Sequence, residues 1–136
     1  MSADTVSGLV AEALAHVHRY TPDEAAAAME RGALLVDLRP LEYRLRNGEI
    51  PGAIAVPRHV LEWRLDVTSE ARLKELDYGD TNRQIVLLCN EGYTSSLAAY
   101  QVMRDLGLTN VRDVAGGFAA WREAGLPVLP RIGLTA

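Results

Sequence analysis

Three features of the sequence predict an α/β domain built on a mostly parallel sheet of about five strands. Apolar runs of buried-strand length recur along the chain, and segments with helix start and stop signals lie between them. The third feature is size: 136 residues suit one domain with a single buried core. The composition, 49% hydrophobic and 24% charged, is that of a globular chain and argues against disorder.

The elements follow in order. Val6, Leu9, Val10, Ala13, Leu14 and Val17 recur at helical spacing, so residues 5–17 predict a short amphipathic helix packed against the rest of the domain, with a dimer contact as the alternative. Thr21-Pro22-Asp23-Glu24 is a helix start: threonine caps, proline suits the first helical position, and Glu24 can reach back to complete a capping box. That helix runs to Arg31, and Gly32 supplies a left-handed stop. Ala33–Leu38 reads as a buried parallel strand, Pro40–Arg46 as a compact helical turn, and Ile54–Val56 as a short strand closed by Pro57. Arg58–Leu65 and Ser69–Leu76 both read as helical, with a polar surface connection over 77–83. Gln84–Cys89 is the clearest buried strand. A tight loop, Asn90–Thr94, leads to a helix that Thr94 or Ser95 can cap and Gly107 ends. Val111–Val114 is a further strand, Ala115-Gly116-Gly117 a turn, and Phe118–Ala124 a last helix. Residues 1–18 are thus expected to form a helical extension, 19–130 the domain, and 131–136 a tail.

Charge narrows the function classes. Fourteen basic against 18 acidic residues give −4, and the pI is about 5.3. No basic face for nucleic acid or polybasic membrane contact is expected. The longest apolar runs, Ala33–Val36 and Ile85–Cys89, are far short of a bilayer span, and no leader-like segment opens the chain, so a cytoplasmic protein is expected. One cysteine rules out an intrachain disulfide and a cysteine-only metal site. His16, His18 and His59 lack ligand-like spacing, and no metal or cofactor is expected.

In a parallel sheet, chemistry collects where strands end and loops lead into helix amino termini. Cys89 holds that place, followed by Asn90-Glu91-Gly92-Tyr93-Thr94. Such a loop can curl its amides around the sulfur, helped by the positive end of the helix, and so favour a thiolate or a persulfide anion. Gly92 provides the backbone freedom for the curl. A small buried hydrophobe would occupy the same position, and both readings stand at this point.

Three ordered segments carry a resemblance. Val36-Asp37-Leu38-Arg39 with Glu42 and Gly48-Glu49-Ile50-Pro51-Gly52-Ala53-Ile54-Ala55-Val56-Pro57 resembles the first signature of the rhodanese family. Cys89-Asn90-Glu91-Gly92-Tyr93-Thr94-Ser95 is similar to its active-site loop. Asp113-Val114-Ala115-Gly116-Gly117-Phe118-Ala119-Ala120-Trp121, continuing to Val128, resembles its closing signature. The resemblance spans about residues 19 to 128 and implies a single rhodanese-like domain acting as a sulfurtransferase. In that reading Cys89 takes a sulfane sulfur from thiosulfate or a persulfide and passes it to cyanide or a thiol, protein thiols included. Asn90, Glu91, Gly92, Tyr93, Thr94, Ser95 and Arg58 would bind the substrate. The alternative is a sulfur-relay or partner-binding module with little turnover of free substrates.

Departures from the family pattern sharpen the expectation. Members that act as phosphatases carry an arginine six positions after the cysteine, and here that position is Ser95. The loop holds Glu91 and no Lys or Arg, so a dianionic donor meets repulsion of about 1 kcal/mol and weak thiosulfate turnover is expected. Arg58 and Arg64 are the candidate compensating cations, each also suited to pairing with Glu62 or Asp66. Glu49 stands where the family often has histidine, with little catalytic effect expected. Asp37 and Arg39 are expected to pair structurally with Glu42 in the same network. Phe118 and Trp121 are expected in the core, and Tyr93 either at the pocket mouth or as a plain exposed tyrosine.

Overall fold

The structure, a computed structural model, describes residues 4–130. The expected tail, 131–136, lies outside the described residues. The elements run α1 (Val6–His16), α2 (Pro22–Glu30), β1 (Leu34–Asp37), α3 (Leu41–Asn47), β2 (Ile54–Ala55), a 3-10 turn (Arg58–Val60), α4 (Leu61–Leu65), β3 (Ile85–Leu88), α5 (Tyr93–Leu106), β4 (Val111–Asp113) and α6 (Gly117–Glu123). The capping box is formed: Glu24 N–H donates to Thr21 Oγ1 at 3.2 Å and Thr21 N–H to Glu24 Oε1 at 2.8 Å. That backbone hydrogen bond holds the Glu24 carboxylate below its ordinary range.

Four parallel strands form one sheet in the order β2-β1-β3-β4. Tyr20 adds a single parallel rung against Val114 beyond β4, and Glu49 and Leu129 form an isolated antiparallel bridge; among the described residues neither extends into a fifth strand. Side chains alternate across the sheet. Leu34, Val36, Ile85 and Leu87 meet α4 and α5 through Leu61, Leu65, Ala98 and Val102. On the other face Leu35, Val86 and Leu88 meet Ala25 of α2 and Phe118 and Trp121 of α6. No helix of the described residues is long and apolar enough to cross a membrane.

The amino-terminal helix lies on α5. Ala13 and Val17 are buried, the His16 ring stacks on Tyr100 at 4.7 Å, and Tyr100 donates to Glu12 at 3.1 Å. Val6, Leu9 and Leu14, expected on the packed stripe, are exposed.

Segment 69–76, expected helical, is a run of turns. Asp66 Oδ1 accepts from Thr68 N–H at 2.9 Å, which holds the carboxylate below its ordinary range, and Ser69 Oγ accepts from Ala71 N–H at 2.9 Å. Arg64 donates to the Ala71 carbonyl at 2.8 Å. These local side-chain bonds compete with the helical ladder, and the irregular path still buries Leu73 and Leu76.

At the carboxyl end of β1 a buried ion pair fastens the first loop. Arg39 Nη2 donates to Asp37 Oδ2 at 2.8 Å and to the Gly48 carbonyl at 2.9 Å, while its guanidinium lies 3.7 Å from the Phe118 ring centroid. Glu42, expected in this network, is exposed and makes no bond to either partner; the Gly48 carbonyl takes that place. Removing the guanidinium leaves a buried carboxylate uncompensated, so Arg39→Ala should lower stability by about 3–5 kcal/mol in urea unfolding.

Candidate functional site

β3 delivers Cys89 to the carboxyl edge of the sheet, directly before the turn into α5. Gly92, at φ 95°, is the residue flanking α5, and no side chain caps the helix. The expected caps, Thr94 and Ser95, lie inside the first turn instead. The thiol fills the role they were expected to play. Gly92 N–H donates to Cys89 Sγ at 3.1 Å and Ser95 N–H at 3.3 Å. Of the loop amides expected to ring the sulfur, these are the two that reach it. Helix-end amides aimed at one atom favour negative charge there.

Ser95 touches the sulfur a second time. The Cys89 thiol donates to Ser95 Oγ at 3.4 Å, and Ser95 Oγ–H donates to Asp113 Oδ2 at 2.7 Å. Asp113, at the end of β4, is fully buried. Its charge is met by Arg19, whose Nε donates to Oδ1 and Nη2 to Oδ2, each at 2.9 Å. Arg19 Nη2 also donates to the Gly92 carbonyl at 2.6 Å. The Asp113 hydrogen bond, outweighing part burial, holds the Arg19 guanidinium above its ordinary range.

Sequence reasoning missed Arg19 and passed over Asp113 as one letter of a motif. The rule that found Cys89 also applies to Asp113, which ends the strand beside β3. Arg19 carries no local signal, since its partners lie 73 and 94 positions away.

Cys89 is 7% exposed, and it lines an open pocket of about 320 Å³. Asn90, Glu91, Tyr93, Thr94 and Arg58 line the same pocket, facing Leu38, Pro40 and Tyr43. Gly92 and Ser95 sit beneath it as donors to the sulfur. Arg58 is occupied: it donates to both Glu62 oxygens at 3.1 and 3.2 Å and to Gln101 at 2.7 Å. Glu91 is exposed and has no ion-pair partner among the described residues. Arg64 is turned toward Ala71 and does not line the pocket. Neither does Glu49, which pairs with Arg44 at 2.7 Å. A wider depression of about 770 Å³ adjoins the pocket across Leu38, Pro40 and Arg58 and carries the exposed Trp63.

The family model described as rhodanese-like domain matches residues 21–124. Thiosulfate sulfurtransferase GlpE of Pseudomonas savastanoi pv. phaseolicola is 32% identical over 105 residues, covering 76% of this chain and 86% of that protein. Adenylyltransferase and sulfurtransferase MOCS3-2 of Zea mays is 34% identical over 97 residues, covering 71% of this chain but only 19% of that longer protein. Among solved structures, a Rhodopseudomonas palustris protein of unknown function, described as a possible tyrosine phosphatase, aligns with a TM-score of 0.80 at 30% identity. That alignment covers 94% of this chain and 96% of the other.

The sulfur's shell depends on a residue without a side chain. A Cβ on Gly92 would lie 2.8 Å from Gly116 N and 2.9 Å from Arg19 Nη2, at a φ that side chains avoid. One charge-assisted hydrogen bond is worth about 1.5–3 kcal/mol. Gly92→Ala should therefore slow iodoacetamide alkylation of Cys89 at neutral pH by about tenfold or more.

Proposed function

The chain belongs to the rhodanese-like domain family, and on that footing we propose that it is a sulfurtransferase with Cys89 as its sulfur carrier. The observation that carries this reading is the pair of amides aimed at Cys89 Sγ at the base of an open pocket. They stabilise charge on the sulfur both as thiolate and after it has taken up a second sulfur.

The reaction divides into two displacements. After the thiol proton leaves to solvent, the Cys89 thiolate attacks the outer sulfur of a sulfane donor. The new S–S bond forms as the donor's own bond to that sulfur breaks, and the electron pair leaves with the donor, as sulfite if the donor is thiosulfate. A thiolate or cyanide then attacks the outer sulfur and Cys89 departs as a thiolate. Neither step requires a metal or a second cysteine.

Electrostatics favours donors less charged than thiosulfate. Arg58 faces the pocket with its charge already shared with Glu62, and Glu91, which lines the same pocket, has no ion-pair partner among the described residues. Apolar and aromatic walls, Leu38, Pro40, Tyr43 and Tyr93, suit an organic persulfide or thiol. The phosphatase description given to the Rhodopseudomonas palustris protein is not carried over, because Ser95 occupies the position of the phosphate-holding arginine and Arg58 is already paired.

A second reading rests on the adjoining depression and Trp63. Together they offer a protein partner a footing beside the thiol, and the MOCS3-2 relative carries its matching segment within a longer protein. In that reading the domain relays sulfur only when a partner docks.

Incubation with a sulfane donor followed by intact-mass measurement should show a gain of one sulfur atom, absent in Cys89→Ser. Addition of none would remove the sulfurtransferase reading. Steady-state turnover with free donor and cyanide separates the enzyme from the relay, which should load yet turn over poorly. Glu91→Lys should raise kcat/KM for thiosulfate by about fivefold, the equivalent of about 1 kcal/mol. Arg58→Ala would leave the Glu62 carboxylate uncompensated beside the pocket, and so should raise KM for an anionic donor and leave that for a neutral trisulfide unchanged.

A further inference from the structure

Arg19 precedes the family-matched residues 21–124, yet it touches Gly92, a donor to the sulfur, and Asp113, which holds the Ser95 hydroxyl. We propose that Arg19 is a positioning residue of the Cys89 site, clasping the loop to β4 so that the Gly92 and Ser95 amides stay aimed at the sulfur and Ser95 Oγ stays beside it. The assignment rests on Cys89 being the sulfur carrier.

The first contact is with the loop. Gly92, at φ 95°, is the residue of the loop with the freest backbone. Its carbonyl is held by a charged guanidinium at 2.6 Å. Carbonyl and following N–H share one rigid plane and point to opposite sides, so fixing the Gly92 carbonyl also fixes the direction of the Tyr93 N–H. Gly92's own N–H meets the sulfur at 3.1 Å. A rotation of this residue would carry the donor away.

The second contact is with Asp113. Its carboxylate accepts the hydrogen bond of the Ser95 hydroxyl, which leaves the Ser95 Oγ lone pairs free to accept from the thiol. With both Asp113 oxygens engaged by one guanidinium, the carboxylate is held in the plane that meets Ser95. One side chain therefore contacts both the loop that donates to the sulfur and the carboxylate that holds the Ser95 hydroxyl.

A fork makes this possible and a point charge does not. Lysine at position 19 would neutralise Asp113 but could not donate through separate nitrogens to both carboxylate oxygens while holding the Gly92 carbonyl. Arg19→Lys thus keeps the charge and removes the clasp. In Arg19→Lys, sulfur loading from a saturating sulfane donor, followed by stopped reaction and intact mass, should slow about ten- to hundredfold with the donor KM little changed. Its melting temperature should stay near that of the unaltered protein. Ethylguanidine should restore part of the loading rate in Arg19→Ala but not in the unaltered protein. Should Arg19→Ala fail to fold, Arg19→Lys decides alone. Loading at the unaltered rate in Arg19→Lys would overturn the assignment, as would a loss fully matched by a smaller folded fraction. Iodoacetamide alkylation of Cys89 gives a readout without sulfur transfer, expected to slow at least threefold at neutral pH in Arg19→Lys. If the unaltered protein takes up no sulfur, the sulfurtransferase reading fails, and alkylation still decides whether Arg19 sets the shell of Cys89.

Discussion

The sulfur of Cys89 does for α5 what a capping side chain does for other helices. The first turn of a helix has N–H groups with no partner inside the helix, and burying them unpaired is costly. Here two amides of the loop and first turn end on Sγ, and no side-chain cap replaces them. The site and the fold therefore share the same hydrogen bonds. This constrains the neighbourhood: the turn must be tight, which Gly92 permits, and the next strand must come close. Gly117 allows that approach, since a Cβ there would fall on the Cys89 carbonyl. Phe118 N–H then closes on the same carbonyl at 2.8 Å.

Charge around the pocket is organised by pairing. Arg39 is given to Asp37, Arg58 to Glu62 and Arg19 to Asp113, each through hydrogen bonds rather than proximity alone. The buried pairs fasten loops: Arg39 ties the end of β1 to Gly48, and Arg19 ties the end of β4 to Gly92. A guanidinium so committed offers an incoming dianion little. In the proposed reaction the amides at the sulfur then act on the reacting atom rather than on the rest of the donor. Such a site stabilises what forms on Cys89 more than it selects what arrives.

Much of this was legible in the chain because its cause is local. The Thr21–Glu24 box, the glycine stops, and the apolar strands that alternate between two core layers each depend on residues a few positions apart. Cys89 was legible because strand, loop and helix follow one another directly. The misreadings have physical reasons. Ser69–Leu76 has helical spacing, but Asp66 and Ser69 satisfy nearby backbone amides first. Thr94 and Ser95 are good capping residues, but the thiol was already placed to accept. Val6, Leu9 and Leu14 make a stripe, yet only its Ala13 and Val17 side meets the domain. Arg19 was invisible because a salt bridge across 94 positions leaves no periodic trace.

The amino-terminal helix gains a role from these connections. It packs on α5 through Ala13, His16 and Val17, and the chain then leads within two residues to Arg19. Tyr20 follows, joined to β4 by backbone bonds: its N–H donates to Asp113 O at 2.9 Å, and its carbonyl accepts from Ala115 N–H at 2.8 Å. Arg19 is thus held between a helix seated on α5 and a rung of the sheet, so its side chain starts from a fixed backbone. α5 is the common element, with α1 along its flank and the thiol at its amino end. A rigid backbone on both sides lets one fork of nitrogens orient a loop that glycine alone would leave free to turn.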